Sequence, residues 1–234
     1  MMQVEIWSDV VCPWCYIGKR RFERALADFA ARDQVVVVWR SYQLDPQSPR
    51  EAGATVVEHL AHRYGTSLAQ AAATIGQVSE LAAQEGLEYH LDRARRTNTF
   101  DAHRLLHFAA QHGRQDALKE RLLHAYFTEG AVVSEAATLL QLAVEVGLPA
   151  AEASAVLAST TYSDAVQADE QRARDLGIQG VPFFVVAEKY GVSGAQPAAV
   201  FKSALERAWA EAHPPLTLVA TTSGDACEGE DCAL

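Results

Sequence analysis

The stretch SDVVCPWCYIGK, Ser8 to Lys19, decides the fold because it joins a strand, a pair of cysteines and a helix. The residues before it, Met2–Trp7, alternate in polarity, which predicts a short strand. After Cys12, Pro13 suits the first position of a helix, where its missing N–H costs nothing, and apolar residues then recur at helical spacing. Cys15 lies one turn on, so the sequence predicts two cysteines at a helix N-terminus.

This position gives the two cysteines different expected roles. The free N–H groups of the first turn and the positive end of the helix dipole favour a thiolate at Cys12. The sequence therefore predicts a lowered pKa for the Cys12 thiol. Because thiolate is the attacking species in disulfide exchange, Cys12 is the candidate nucleophile. Cys15, expected to be more buried, is the candidate resolving thiol.

A second part of the site is predicted far along the chain, in GVPF, Gly180 to Phe183. A proline that opens a strand directly after a Gly-Val pair suits a cis peptide bond between Val181 and Pro182. Such a bond would expose the backbone of Val181, with which an extended substrate could pair. The apolar ring of Pro182 would lie against the sulfurs and exclude metal ions.

The remaining pattern places strands at both ends of the chain and helices between them. A β-branched apolar run, Gln34–Leu44, predicts a buried strand. Phe183–Ala187 and Tyr190–Ser193 predict two more strands, followed by a last helix, Pro197–Glu211. Residues 55–176 are helical in pattern almost throughout. The strands at the two ends must meet in one sheet, so the predicted fold class is α/β with a large helical insertion.

Particular residues predict where helices of this insertion begin and how far they run. Thr55 and Glu58 fit a capping box, and Ser134 fits the N-cap of a helix that runs to Gly147. A helix over Gln115–Phe127 is expected between them.

Composition excludes several classes of function. The chain has 234 residues, 49% of them hydrophobic, and a formal net charge of -10. Its acidity argues against nucleic-acid binding, which needs clustered Lys and Arg. No apolar run reaches the length of about 18 residues that a membrane span needs, and no secretion signal is evident, so we expect a cytoplasmic protein. Four cysteines are too few for a disulfide scaffold and indicate redox or metal chemistry.

Four motifs give the sequence a family resemblance: SDVVCPWCYIGKRRF, WRSYQLDP, TNTFDAHRLLHFA and GIQGVPFFVV. Together, over about residues 3–212, they resemble the DsbA-like oxidoreductases of the FrnE type. The resemblance implies that Cys12 is the nucleophile, Cys15 the resolving cysteine and Pro182 the cis proline. In the related 2-hydroxychromene-2-carboxylate isomerases and kappa-class glutathione transferases, serine typically stands at the position of Cys12.

The same resemblance implies the domain organisation. Residues 1–50 and 177–214 would form a thioredoxin-like domain. Residues 51–176 would form the all-helical insertion domain, and residues 215–234 a C-terminal tail.

The tail contains the other two cysteines, Cys227 and Cys232, in ACEGEDCAL. A zinc site that combines them with Cys12 and Cys15 is the metal-binding alternative, but their spacing is looser than that of a zinc knuckle. Neighbouring acidic residues should raise the pKa of both tail thiols and make them poor nucleophiles. A second redox pair and an inert tail both stay open.

Other candidate residues have weaker support. Trp14, between the reactive cysteines, could shape a substrate groove or cover a helix end. Asn98 could touch a small ligand, although it more simply caps a helix together with Thr99. His103 and His107 lie four residues apart on a predicted helix, but no third ligand is evident, so the sequence predicts no metal site.

Three functions follow, in decreasing order of support. The first is a thiol:disulfide oxidoreductase that exchanges the Cys12–Cys15 pair with protein or small-molecule thiols through a mixed disulfide at Cys12. It requires no cofactor, and glutathione could be its redox partner. The second is a glutathione-dependent isomerase or transferase on the same fold. The third is a holdase that binds partners in a groove between the sheet and the insertion. The direction of exchange, the substrate and the oligomeric state do not follow from the sequence.

Overall fold

The computed structural model describes residues 1–215, so the predicted tail pair, Cys227 and Cys232, lies outside the described residues. Four strands form one sheet: β1 (Met2–Ser8), β2 (Val35–Ser41), β3 (Phe183–Val186) and β4 (Tyr190–Ser193). Their order is β2-β1-β3-β4. β1 runs parallel to β2 and antiparallel to β3, which pairs antiparallel with β4. The two ends of the chain thus meet in one sheet, as the sequence predicts.

Nine α-helices lie among the described residues, and seven of them separate β2 from β3. They are α1 (Pro13–Ala27), α2 (Val56–Tyr64), α3 (Leu68–Gln84), α4 (Phe100–Gln111), α5 (Gln115–His124), α6 (Ala136–Glu145), α7 (Ala150–Leu157), α8 (Ser163–Asp175) and α9 (Ala198–Ala212). The α/β architecture with helices inserted in the sheet is therefore confirmed. None of the helices described is long and apolar enough to cross a membrane.

One face of the sheet packs against α1 and α9 through aromatic side chains. Phe184 of β3 is fully buried, with its ring centroid 4.5 Å from that of Phe201 in α9 and 5.5 Å from that of Phe22 in α1. Aromatic pairs at such separations stabilise a core beyond the area they bury. This contact fixes α1, and therefore the cysteines at its N-terminus, against the sheet.

The opposite face of the sheet packs against α8. Trp7 of β1 is fully buried there with Ala173, Ile178 and Val185, and its indole N–H donates to the carbonyl of Asp169 at 3.0 Å. This helix lies inside the predicted insertion of residues 51–176, yet it forms a layer of the sheet. We therefore propose that the domain built around the sheet includes α8 and that the insertion ends before it.

The inserted helices share a separate core that also holds part of α1. Tyr16 and Ile17 of α1 are buried in it. On the outer edge of the sheet, the side-chain amide of Gln115 in α5 makes two hydrogen bonds with the backbone of Trp39. Its oxygen accepts from the Trp39 N–H at 3.1 Å, and its nitrogen donates to the Trp39 carbonyl at 2.9 Å. The insertion therefore contacts both the helix that bears the cysteines and the free edge of β2.

Two predictions about the inserted helices are wrong and one is confirmed. Thr55 and Glu58 form the expected capping box at α2. Ser134 does not cap α6, because its hydroxyl donates instead to the carbonyl of Arg50 and the helix begins after Glu135. The predicted helix 115–127 ends as α-helix at His124 and continues as a π-helical turn, Ala125–Glu129.

Candidate functional site

The two cysteines lie where β1 passes into α1, and both are buried. Cys12 is the N-cap residue of α1, with Pro13 in the first turn as predicted. Cys12 is 3% exposed and Cys15 is 1% exposed. Neither forms a disulfide in this structure, and each thiol shifts the pKa of the other. Such a pair can pass one proton between its sulfurs.

The pKa expected for Cys12 is wrong in direction. The hydrogen bond with Cys15, burial and the charge of Cys15 raise the pKa of the Cys12 thiol well above its ordinary value. The Cys15 N–H acts in the opposite direction and lowers the pKa of the Cys12 thiol, although this N–H also donates to the Cys12 carbonyl at 3.0 Å. The support that a helix N-terminus gives to a thiolate is therefore outweighed at Cys12.

Cys15 is the better place for negative charge in this arrangement. Burial alone would raise its pKa, but the hydrogen bond from the Cys12 thiol, the charge of Lys119 and the hydroxyl of Ser8 together lower it. A proton shared between the two sulfurs lets the pair carry one negative charge, which the Lys119 ammonium stabilises. Passing that proton to Cys15 leaves the charge on Cys12.

A buried lysine from the insertion supplies the charge beside Cys15. Lys119 of α5 is fully buried, and its ammonium donates to the carbonyl of Ser8 at 3.3 Å and lies 5.4 Å from the centroid of the Trp39 ring. Burial lowers the pKa of Lys119 to about 8, against the opposing pull of Cys15 and Asp9. Lys119 belongs to none of the motifs that predict the site from the sequence.

An aspartate completes the buried charge under the cysteine loop. The carboxylate of Asp9 accepts the N–H groups of Val10 and Leu44, both at 2.8 Å, and lies 3.4 Å from Nε2 of His103. Burial opposes its ionisation, but the hydrogen bond and charge of His103 prevail and lower the pKa of Asp9. A carboxylate and an ammonium are thus both held in the interior near the thiols.

The predicted proline lies beside the cysteines. The Val181–Pro182 peptide bond is cis, and the Cys12 thiol donates to the Val181 carbonyl at 3.5 Å. Pro182 packs so closely on α1 that a Cβ at Gly18 would lie 2.9 Å from its Cγ. Glycine at position 18 therefore lets the proline loop approach the cysteines.

We expect Gly18→Ala to disturb this approach. The added methyl group meets Pro182 below contact distance, so the free energy of unfolding should fall by about 1–3 kcal/mol. Chemical denaturation measures it. Gly76→Ala in α3 is the matched control, because no atom lies within 4 Å of the added Cβ there. Alanine at position 76 should stabilise the helix by up to about 1 kcal/mol, and equal destabilisation by both changes would contradict close packing at Gly18.

The other candidate residues, Trp14 and Asn98, lie in different surroundings. Trp14 is 41% exposed at the surface next to the buried pair. The Asn98 amide donates to the carbonyls of Ser48 at 3.1 Å and Pro46 at 3.3 Å, and its oxygen accepts the N–H of Phe100 at 2.9 Å. Asn98 thus satisfies the first N–H of α4, whereas the side chain of the N-cap residue, Thr99, makes no capping hydrogen bond. Contact of Asn98 with a ligand stays a prediction.

The histidines of α4 are engaged with different partners. His103 faces Asp9, whereas Nε2 of His107 lies 3.1 Å from both Asp169 and the hydroxyl of Ser41. Within residues 1–215, no group of three or more His, Cys, Asp or Glu side chains could hold a metal ion.

Comparison with known proteins places this geometry in a family context. The family model of the DSBA-like thioredoxin domain matches residues 3–206. A curated relative from Bacillus subtilis (strain 168), the uncharacterized protein YwbO, is 26% identical over 206 residues, which cover 87% of this chain and 96% of that protein.

Two solved structures are similar over most of the chain. A probable DsbA oxidoreductase from Streptomyces coelicolor has a TM-score of 0.87 at 46% identity, covering 98% of this chain and 100% of that one. The cytosolic disulfide reductase DsbM from Pseudomonas aeruginosa, in a structure with GSH, has a TM-score of 0.61 at 20% identity, covering 88% of this chain and 98% of that one. The thioredoxin-like fold is thereby confirmed.

Proposed function

The chain belongs to the DSBA-like thioredoxin domain family, and on this premise we propose that it is a thiol:disulfide oxidoreductase that works through Cys12 and Cys15. The observation that carries the proposal is the position of two unbridged thiols at the N-terminus of α1, where the Cys12 thiol donates to the Val181 carbonyl before a cis proline. The similarity to a probable DsbA oxidoreductase at 46% identity supports it.

Exchange begins at Cys12, which we propose as the nucleophile. Its proton passes to Cys15, and the Cys12 thiolate attacks one sulfur of a substrate disulfide. The S–S bond of the substrate breaks as a Cys12–substrate bond forms. The departing sulfur leaves as a thiolate and takes the proton from Cys15, which returns Cys15 to its thiolate.

Cys15 then resolves the mixed disulfide. Its thiolate, favoured by the ammonium of Lys119, attacks the Cys12 sulfur and releases the second substrate thiolate. The substrate disulfide gains two electrons and becomes two thiols, while Cys12 and Cys15 lose two electrons and become a disulfide. The reverse sequence oxidises a substrate dithiol, and the reduction potential of the pair sets which direction prevails.

The side chains around the thiols have distinct roles in this scheme. The ring of Pro182 and the backbone of Val181 orient the substrate against Cys12, and exposed Trp14 lines its approach. Asp9 and Lys119 set the charge beneath the pair. No metal or organic cofactor takes part in any step.

The proposed partners are protein or small-molecule thiols and disulfides. Glutathione is the proposed small-molecule partner, and DsbM, which shares the fold, is described in a structure with it. Two glutathione molecules would return the oxidised pair to the dithiol and leave as glutathione disulfide. The cytoplasm, where thiols are kept reduced, is the proposed location and favours the reducing direction.

Trapping the mixed disulfide tests the proposal. Cys15→Ser removes the resolving thiol, so a peptide disulfide should leave one half of itself bound to Cys12, detected as added mass on the intact protein and released by a reductant. With Cys227 and Cys232 changed to serine in both proteins, the matched Cys12→Ser protein should gain no mass under the same conditions. Equal adducts on both variants, or an adduct on neither, would refute exchange through Cys12.

A further inference from the structure

A cavity of about 250 Å³ opens beside the cysteine loop, between that loop and α2. Pro13, which stands between the two cysteines, forms part of its wall together with Val56, Leu60 and Tyr126. These four residues also line a second cavity of about 100 Å³ directly behind it. The two volumes together lie at the lower end of the range of small-molecule sites, about 300–1,000 Å³.

The inner part of this cavity is apolar and is shaped by an unusual backbone segment. Tyr126 belongs to the π-helical turn that follows α5, and its hydroxyl donates to the carbonyl of Arg95 at 3.1 Å. Tyr126 is 3% exposed. Because its hydroxyl is already hydrogen-bonded, a ligand in the cavity would contact the apolar face of its ring. Short π-helical turns are frequent at functional sites. The interior therefore suits an aromatic or aliphatic group.

The mouth of the cavity is lined by cationic side chains, and they are not equally available. Arg96 is paired with Asp45, whose Oδ2 lies 3.1 Å from its Nε. Burial and the charges of Arg96 and Arg63 lower the pKa of His59. Asp9, at the floor, already accepts two backbone N–H groups.

Arg63 is the cation at the mouth that is available to bind an anion. It forms no ion pair with any acidic side chain of residues 1–215, and its guanidinium lies 5.8 Å from the centroid of the exposed Tyr64 ring. An arginine of this kind can form a paired hydrogen bond with a carboxylate. The cavity thus favours a molecule with a carboxylate at one end, for the mouth, and an apolar group at the other, for the interior.

We propose that this cavity is a subsite for an apolar group that carries a carboxylate, on the thiol or disulfide that reacts at Cys12. Arg63 receives the carboxylate at the mouth, and Val56, Leu60 and Tyr126 enclose the apolar part. The cavity reaches Pro13, so the guest lies next to the reactive pair. The assignment of the bound molecule as a substrate rests on the proposed function. Its binding in the cavity does not.

Binding is tested on the full chain with all four cysteines changed to serine, which cannot exchange disulfides. Isothermal calorimetry with phenylbutyrate and with the uncharged phenylbutanamide compares two probes of similar shape. A charge-assisted hydrogen bond contributes about 1.5–3 kcal/mol, so we expect the acid to bind about tenfold or more tightly than the amide. Arg63→Gln should remove that difference and leave the affinity for the amide unchanged.

Two further variants keep the result interpretable. Arg32→Gln alters an exposed arginine far from α2 and should preserve the preference for the acid. Leu60→Trp fills the cavity and should weaken both probes. Equal affinities for acid and amide, a preference that survives Arg63→Gln, or no saturable binding of either probe at millimolar concentration would each overturn the site.

The substrate class is tested with the cysteines intact. Dithiobis(nitrobenzoate) is an aromatic disulfide with carboxylates, and dithiodipyridine is an uncharged one. Arg63→Gln should slow reaction with the first about tenfold relative to the second. Equal slowing of both, or of neither, would overturn the assignment to substrate. Failure of both disulfides to react with the unaltered protein would instead refute the proposed function, while the calorimetry still reports on the cavity.

Discussion

Replacement of Cys12 by serine should lower the rate of disulfide exchange by at least about a thousandfold, which is the scale expected when a nucleophile is removed. A hydroxyl at this buried position stays protonated and cannot form the mixed disulfide. Reduction of insulin by glutathione, followed by turbidity, measures the loss. The fold should persist, because serine has nearly the shape of cysteine and can donate to the same Val181 carbonyl.

Cys15→Ser is the matched variant for this experiment. It alters the neighbouring thiol in the same helix turn, so it controls for disturbance of α1. It should keep a single rapid reaction of Cys12 with substrate and lose repeated turnover. Full insulin reduction by the Cys12→Ser protein would refute the proposed function, whatever the behaviour of Cys15→Ser.

The second large effect is expected at Lys119. Lys119→Met removes the buried positive charge that favours the Cys15 thiolate. Loss of a nearby opposite charge disfavours the ionised thiol, so the pKa of Cys15 should rise. The thiolate fraction at neutral pH should fall about tenfold or more, and the rate of resolution should fall by less, about threefold or more, because a thiolate of higher pKa is intrinsically more nucleophilic. Thiolate absorbance in the ultraviolet, recorded against pH, measures the shift.

This variant removes one buried charge while Asp9 and Cys15 keep theirs, which can lower the free energy of unfolding by about 3–5 kcal/mol, so its fold must be verified. Circular dichroism checks it. Lys202→Met, on the partly exposed Lys202 of α9, is the control and should leave the titration of the thiols unchanged. An unaltered Cys15 pKa in Lys119→Met would mean that Lys119 contributes packing alone.

The features predicted well from sequence are those that depend on chemistry close in the chain. Pro13 starts α1 because its ring fits the first turn, and the positions of the strands along the chain follow from where the apolar runs lie. The cis isomer of the Val181–Pro182 bond is expected only in combination with the cysteine pair, because an X–Pro dipeptide by itself favours trans.

The features that sequence reasoning missed depend on contacts between distant segments. The pKa of Cys12 follows from its contact with Cys15 and from which acceptor the first-turn N–H groups find, and neither is visible in a motif. Lys119 reaches the thiols from the inserted helices. A signal for it was present, because Lys119 shares the apolar face of α5 with Leu122 and Leu123, where a lysine needs a buried partner.

The pairing of β1 with β3 has a consequence for how the protein is made. Ile6 lies opposite Phe184 in the sheet, so the central strand pair requires two segments separated by about 180 residues. At about 5–20 residues per second, the ribosome needs roughly 10 to 35 seconds to deliver the second segment after the first. During that interval both cysteines of the future site are on an incomplete chain without the proline loop that covers them. The nascent polypeptide is therefore the stage at which these thiols are most open to oxidation or to a wrong disulfide.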